Sequence, residues 1–170
     1  MRRRKDEPMK PQEALTRLEE LCAASERCTF ELRQRLYRWG ISRSDAASII
    51  DSLIKNRFVD DERFARAFVI DKYRFSRWGR IKIRAALYAR QVPSWLVDVA
   101  MDEIDDEEYA DNLLQLLRAK RKSLREEAAT YEGRTKIFRY GASRGYEVQL
   151  IASAISNPRL WHDDDDTDAL

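Results

Sequence analysis

Apolar residues recur at three- and four-residue spacing along most of the chain. The sets are Leu15, Leu18 and Cys22; Leu32 and Leu36; Ile49, Ile50, Leu53 and Ile54; Phe64 and Phe68; Ile83 and Leu87; Leu113, Leu114 and Leu117; Ile137 and Tyr140; Ile151, Ala154 and Ile155. This is helical periodicity, each set lining one helix face. Strict apolar–polar alternation, the mark of a strand, is scarce. Punctuation divides the sets. Pro11 opens a first helix, and Gly40 follows the second at the position where helices stop in the left-handed conformation. Ser44 is placed to cap a third, which runs to about Asn56. Asp60-Asp61 opens a fourth, Trp78-Gly79 precedes a fifth, Pro93-Ser94 starts a sixth and the acids of 105–108 start a seventh. Gly133 and Gly145 bracket an eighth, and a ninth spans about 147–155. The spacing predicts an all-α protein of nine short helices.

Self-comparison groups the nine into three sets of three. Residues 14–41 align without gaps on 65–92, pairing Ala14 with Ala65, Leu32 with Ile83, Arg33 with Arg84 and Leu36-Tyr37 with Leu87-Tyr88. Asp60-Asp61-Glu62-Arg63-Phe64-Ala65 matches Asp105-Asp106-Glu107-Glu108-Tyr109-Ala110. The third copy gains residues near 125–133 before resuming, with Ile137 in the place of Ile83 and Gly145-Tyr146 in that of Gly40-Ile41. The expected organisation is a basic flexible N-terminus (1–10), three-helix repeats at 11–58, 59–104 and 105–156, and an acidic disordered tail (157–170). A unit this small has little core of its own, so tandem units share buried faces. They are expected to form an elongated, curved array of either hand; the alternative is one compact nine-helix globule.

Charge refines the picture. Thirty-two Lys and Arg against thirty Asp and Glu leave a net charge of only +2, which excludes a uniformly basic protein. The charges are segregated, however. Residues 72–97 carry seven bases (Lys72, Arg74, Arg77, Arg80, Lys82, Arg84, Arg90) and no acid, whereas 98–111 carry eight acids and no base. The bases gather on the second helix of each set: Arg33, Arg35 and Arg38; Arg77, Arg80, Lys82 and Arg84; Arg134, Lys136 and Arg139. Stacked repeats are expected to align them into one basic stripe, facing phosphate or carboxylate partners that guanidinium forks bind bidentately. Among the interleaved aromatics, Trp39 and Trp78 are the candidates for partly exposed contacts. Tyr73 and Phe75, which align with Cys22 and Ala24, are assigned to the core.

Candidate chemistry is sparse. The lone histidine, His162, sits in the acidic tail, so a Ser/His/Asp or Cys/His site is not expected. Cys22 and Cys28 lack zinc spacing, and Cys22 belongs to an apolar stripe. No glycine-rich phosphate loop is present. Asp60-Asp61 and Asp105-Asp106 fit helix capping rather than metal ligation. No catalytic residue, metal or cofactor is expected. No apolar run reaches the roughly 18–20 residues that span a bilayer, and no apolar segment follows the basic N-terminus as in a secretory signal. The chain reads as a cytoplasmic, non-membrane monomer.

Val59-Asp60-Asp61-Glu62-Arg63-Phe64-Ala65, followed by Arg77-Trp78-Gly79-Arg80-Ile81-Lys82-Ile83-Arg84-Ala85-Ala86-Leu87, resembles the RecX family of bacterial recombination regulators. So do Glu31-Leu32-Arg33-Gln34-Arg35-Leu36 with Gly40, and Arg139 with Arg144-Gly145-Tyr146. The resemblance covers about residues 12–156. It implies three tandem three-helix repeats. It also implies a non-enzymatic partner of the recombinase RecA, bound as its filament on single-stranded DNA, whose ATPase, strand-exchange and coprotease activities it restrains. Gln91-Val92 departs from the pattern where many members have glycine. The rival reading is a direct DNA-binding regulator of helix-turn-helix type. Against it, the third helices, around 46–53 and 96–104, are mostly apolar or acidic.

Overall fold

The computed structural model describes residues 9–162; the basic segment up to residue 8 and the aspartate run from residue 163 lie outside the described residues. Among the described residues nine α-helices follow one another: α1 (Pro11–Ala24), α2 (Thr29–Arg38), α3 (Arg43–Lys55), α4 (Asp61–Ile70), α5 (Arg80–Tyr88), α6 (Ser94–Met101), α7 (Asp106–Leu124), α8 (Tyr131–Ser143) and α9 (Val148–Ser156). A π-helical turn, Asp71–Phe75, extends α4. Short 3-10 turns occupy Arg125–Ala129 and Pro158–Leu160. No strand occurs among the described residues. The fold is all-α, in three successive three-helix sets.

Local chemistry sets the boundaries. Pro11 stands at the first helical position of α1, where its missing N–H costs nothing. The α3 cap is Ser42, not Ser44: the Ser42 hydroxyl accepts from the Asp45 amide at 3.1 Å. Ser44 sits within the first turn. Gly133 likewise does not precede α8 but lies inside its first turn, capped by the Thr130 hydroxyl at 3.0 Å. A β-carbon there would fall 1.9 Å from the Glu127 carbonyl, so the inserted stretch folds tightly under the helix start. Residues 157–162, assigned to the tail from sequence, carry a 3-10 turn with Leu160 buried.

The middle helices α2, α5 and α8 end alike. Ile41 N donates to Leu36 O at 3.1 Å, Val92 N to Leu87 O at 3.2 Å and Tyr146 N to Gly141 O at 3.3 Å. These are the six-to-one closures of a Schellman motif, which requires a left-handed residue one position earlier. That residue is Gly40 at φ 77°, Gln91 at φ 55° and Gly145 at φ 88°. The second joint therefore keeps the glycine geometry without the glycine.

Two compact units divide the chain. Of the described residues, one holds 9–68 together with Leu87–Ala100; the other holds Val69–Ala86 together with 101–162. The core of the first includes Ala14 and Leu18 of α1, Leu32 and Leu36 of α2, and Ile49, Ile50 and Leu53 of α3. The core of the second includes Tyr73, Ile83, Tyr109, Leu113, Leu117, Ile137, Tyr146 and Ile151, all at most 1% exposed. Asn112, the buried polar residue among them, donates from Nδ2 to the Tyr73 carbonyl at 3.2 Å. It thereby satisfies a backbone acceptor in the π-turn, where the regular helical ladder is interrupted.

Candidate functional site

The Asp-Asp pairs do two jobs. Asp60 caps its own helix, its Oδ1 accepting from the Glu62 and Arg63 amides at 2.9 and 3.0 Å. Asp105 does the same for α7, through the Glu108 amide at 2.8 Å. The second aspartate of each pair reaches back to the start of the preceding middle helix. Asp61 accepts from the Thr29 amide and from the Thr29 hydroxyl, both at 2.7 Å. At the equivalent position Asp106 pairs with the Arg80 guanidinium. A carboxylate beside the first N–H groups of a helix also complements its dipole. The motif is a connector between successive helix sets, and sequence reasoning found only its capping half.

Within the second unit the Trp78-Gly79-Arg80 and Arg144-Gly145-Tyr146 motifs meet. Gly79 N donates to Arg144 O at 2.8 Å and Ile81 N to Gly145 O at 3.1 Å. The unpaired amides at the start of α5 thus find the unpaired carbonyls at the end of α8. A β-carbon on Gly79 would lie 2.1 Å from the Gly145 backbone, and one on Gly145 would lie 2.3 Å from the Lys82 β-carbon. Both glycines are required by this close approach.

The proposed stripe separates into engaged and available cations. Arg80 is engaged: its guanidinium lies 4.1 Å from the Tyr109 ring centre, pairs with Asp106 and stands 3.6 Å from Glu147. Lys136 pairs with Glu127, and that carboxylate holds its ammonium above the ordinary lysine value. Arg77 donates to Gln115 at 2.9 Å. Lys82 lies 4.6 Å from the centre of the Trp78 ring and Arg134 4.7 Å from that of Trp161; neither contact uses up a hydrogen-bond donor. Arg38 donates to the Gln34 carbonyl at 3.3 Å within its own helix, and Arg84 is half-buried on α5. The side chains of Arg33 and Arg35 on α2 and of Arg139 on α8 make no ion pair or hydrogen bond to another described residue; Arg33 and Arg139 are exposed and Arg35 half-buried.

The aromatics divide differently from expectation. Tyr73 is fully buried, but Phe75 is 80% exposed and is a surface residue, not core. Ala24, its counterpart, is itself exposed at the end of α1, so the alignment carried no burial signal. Trp39 is half-buried against the core of the first unit. Trp78 is half-buried in the second, with Lys72 and Lys82 over its ring at 5.4 and 4.6 Å. Burial pushes the Cys28 thiol up to about 11, against the effect of its place at the start of α2, and raises the Cys22 thiol as well. Buried neutral thiols are poor nucleophiles and poor metal ligands. Among the described residues no group of three or more His, Cys, Asp or Glu is arranged to hold a metal ion, and no helix is long and apolar enough to cross a membrane.

Comparison with known proteins follows the same motifs. Residues 60–101 match the family model of the RecX second three-helix domain. A regulatory protein RecX of Clostridium botulinum (strain Alaska E43 / Type E3) is 30% identical over 126 residues, covering 74% of this chain and 58% of that protein. One from Lactobacillus johnsonii is 29% identical over 93 residues, covering 55% of this chain and 34% of that protein. The matched part is thus about 58% or less of the length of these relatives. Two crystal structures share the fold. A regulatory protein RecX superposes with a TM-score of 0.77 at 15% identity, over 86% of this chain and 72% of the other. RecX from Lactobacillus salivarius gives 0.74 at 17% identity, over 85% and 94%. Residues 60–101, which hold the Asp60-Asp61 connector and Gly79, thus belong to the second three-helix domain of the RecX family, and the chain as a whole is similar to RecX regulatory proteins in sequence and fold.

Proposed function

We propose that this chain is a non-enzymatic regulator of the recombinase RecA. It binds the RecA filament on single-stranded DNA and chiefly inhibits its ATPase, strand-exchange and coprotease activities. It acts in the cytoplasm as a monomer. The observation that carries this reading is the set of arginines on the middle helices, Arg33 and Arg35 on α2 and Arg139 on α8, left without internal partners among the described residues. Lys82 and Arg134, held over aromatic rings, extend it. Guanidinium groups held on a helix but unpaired suit phosphates or acidic protein surface. Arg80 is assigned to the fold rather than to the contact.

The test is a titration of the chain into RecA on single-stranded DNA, reading ATPase rate and filament length together. The expected result is a lower rate, with weaker inhibition by a folded Arg33→Glu/Arg139→Glu variant. No change in either readout overturns the proposal. Tight, sequence-specific duplex binding without RecA would replace it with a direct DNA-binding role.

A further inference from the structure

A cleft of about 430 Å³ opens beside α2 in the first unit. That volume falls within the roughly 300–1,000 Å³ of ligand-sized clefts. Three arginines, Arg27, Arg35 and Arg38, line it together with Leu21, Phe30 and Glu31. Their states differ. Glu31 is already neutralised, accepting from Arg90 at 2.9 Å and lying 4.0 Å from Arg27. Arg35 has no partner among the described residues, and the Arg38 Nε reaches only the Gln34 carbonyl. The Nε of Arg27 is buried without an acceptor among the described residues. Three cations and one paired acid leave the cleft positive, with apolar surface from Leu21 and Phe30 in its wall.

We propose that this cleft binds an acidic peptide segment of a partner protein, anchored by an apolar side chain. The arginine forks supply bidentate sites for carboxylates, and an incoming carboxylate supplies acceptors to Arg35. Leu21 and Phe30 take the anchor. A nucleic-acid backbone fits less well. It needs a ridge or groove of cations tracking successive phosphates, whereas this is a single concave site with a carboxylate in its wall. The inference goes beyond the role proposed above and stands or falls without RecA present.

The test is fluorescence anisotropy on the full chain with a labelled Asp-Glu-Phe-Leu-Glu-Asp peptide. The comparison probes are the same peptide with Ser for Phe and Leu, and a labelled oligothymidylate. The acidic apolar peptide is expected to bind, and to weaken about tenfold or more with Arg35→Glu/Arg38→Glu. Arg35→Gln, which removes charge without introducing repulsion, gives a smaller loss in the same direction. Arg43→Glu, exposed in the same unit but outside the cleft, changes affinity less than about twofold. The Ser peptide binds more weakly than its parent. Three results overturn the proposal: no peptide binding, equal loss with Arg43→Glu and the cleft variants, or a Ser peptide that binds as tightly as its parent.

Discussion

The rings of Tyr109 and Tyr146 pack 4.9 Å apart in the second unit, yet only one of the two hydroxyls is satisfied. Tyr109 accepts from the Arg80 amide and donates to Glu147 Oε2, each at 2.8 Å. The Tyr146 hydroxyl is buried without a hydrogen-bond partner among the described residues. An unsatisfied buried polar group costs about 1–3 kcal/mol, and its removal with shape retained is neutral or stabilising. Tyr146→Phe should therefore hold or raise stability, by up to about 1 kcal/mol. Tyr109→Phe should lower it by about 1–3 kcal/mol, because the Arg80 amide and Glu147 lose their partner. Urea denaturation of both variants checks the contrast; equal destabilisation would contradict it.

The Gly79–Gly145 joint makes a second prediction. A β-carbon at Gly79 would meet backbone atoms at 2.1–2.2 Å, and backbone cannot yield as the end of a flexible side chain can. Gly79→Ala should cost about 3 kcal/mol, at the upper end of overpacking penalties. Gly40 has the positive φ of its joint, but nothing lies within 4 Å of where its β-carbon would stand. Gly40→Ala should therefore cost only about 1 kcal/mol of left-handed strain. Thermal melts of the two variants would read the difference.

Gln91 offers the opposite opportunity. It holds φ 55° where Gly40 and Gly145 stand in the other two joints. The left-handed conformation costs a residue with a β-carbon roughly 1–2 kcal/mol, and glycine gives back about 0.5–1 of that through unfolded-state entropy. Gln91→Gly should stabilise the chain by about 0.5–1 kcal/mol, read as a higher urea midpoint at unchanged slope.

Arg80 separates folding from binding. From sequence it belongs with Arg33, Arg35, Lys82 and Arg84 in a single basic stripe. In the fold it is held by the Tyr109 ring, Asp106 and Glu147. Arg80→Glu would set a third carboxylate among these acids and should cost about 1.5–3 kcal/mol of stability. Arg33→Glu and Arg139→Glu, at exposed positions, should leave the melting temperature unchanged and act on binding alone. An Arg80→Glu variant with wild-type stability would show that its internal contacts contribute nothing.

These cases show which features the sequence could carry. Helix ends were legible because their causes are local: Pro11, Asp105, and the glycines at 40 and 145 act within a turn of where they stand. The three-set organisation was legible for the same reason, since each joint repeats that chemistry. The fate of Arg80 was not, because its partners lie 26 to 67 residues further along the chain. Nor was the reach of Asp61 to Thr29, 32 residues back, since a capping aspartate and a connecting one look alike in sequence. Phe75 was misread because an alanine counterpart says nothing about direction. The cleft at Arg27, Arg35 and Arg38 needed coordinates, because charge spacing alone does not distinguish a convex stripe from a concave site.

Alkaline pH supplies the last test. Burial raises the Cys28 thiol from 9.0 to about 11 and the Tyr146 phenol from 10.0 to about 12; it raises Tyr109 as well. In each case the folded chain keeps a proton that the unfolded chain gives up. Stability falls with rising pH wherever the folded state binds more protons. The loss should begin near pH 9 through Cys28 and steepen above pH 10 as the tyrosines join. Cys28→Ala should flatten the curve between pH 9 and 11 while leaving the steeper fall above it. Tyr146→Phe should soften that later fall. Urea midpoints measured across this range would decide it: a wild-type curve that stays level to pH 11, or a Cys28→Ala curve parallel to it, would show that these groups do not titrate against the fold.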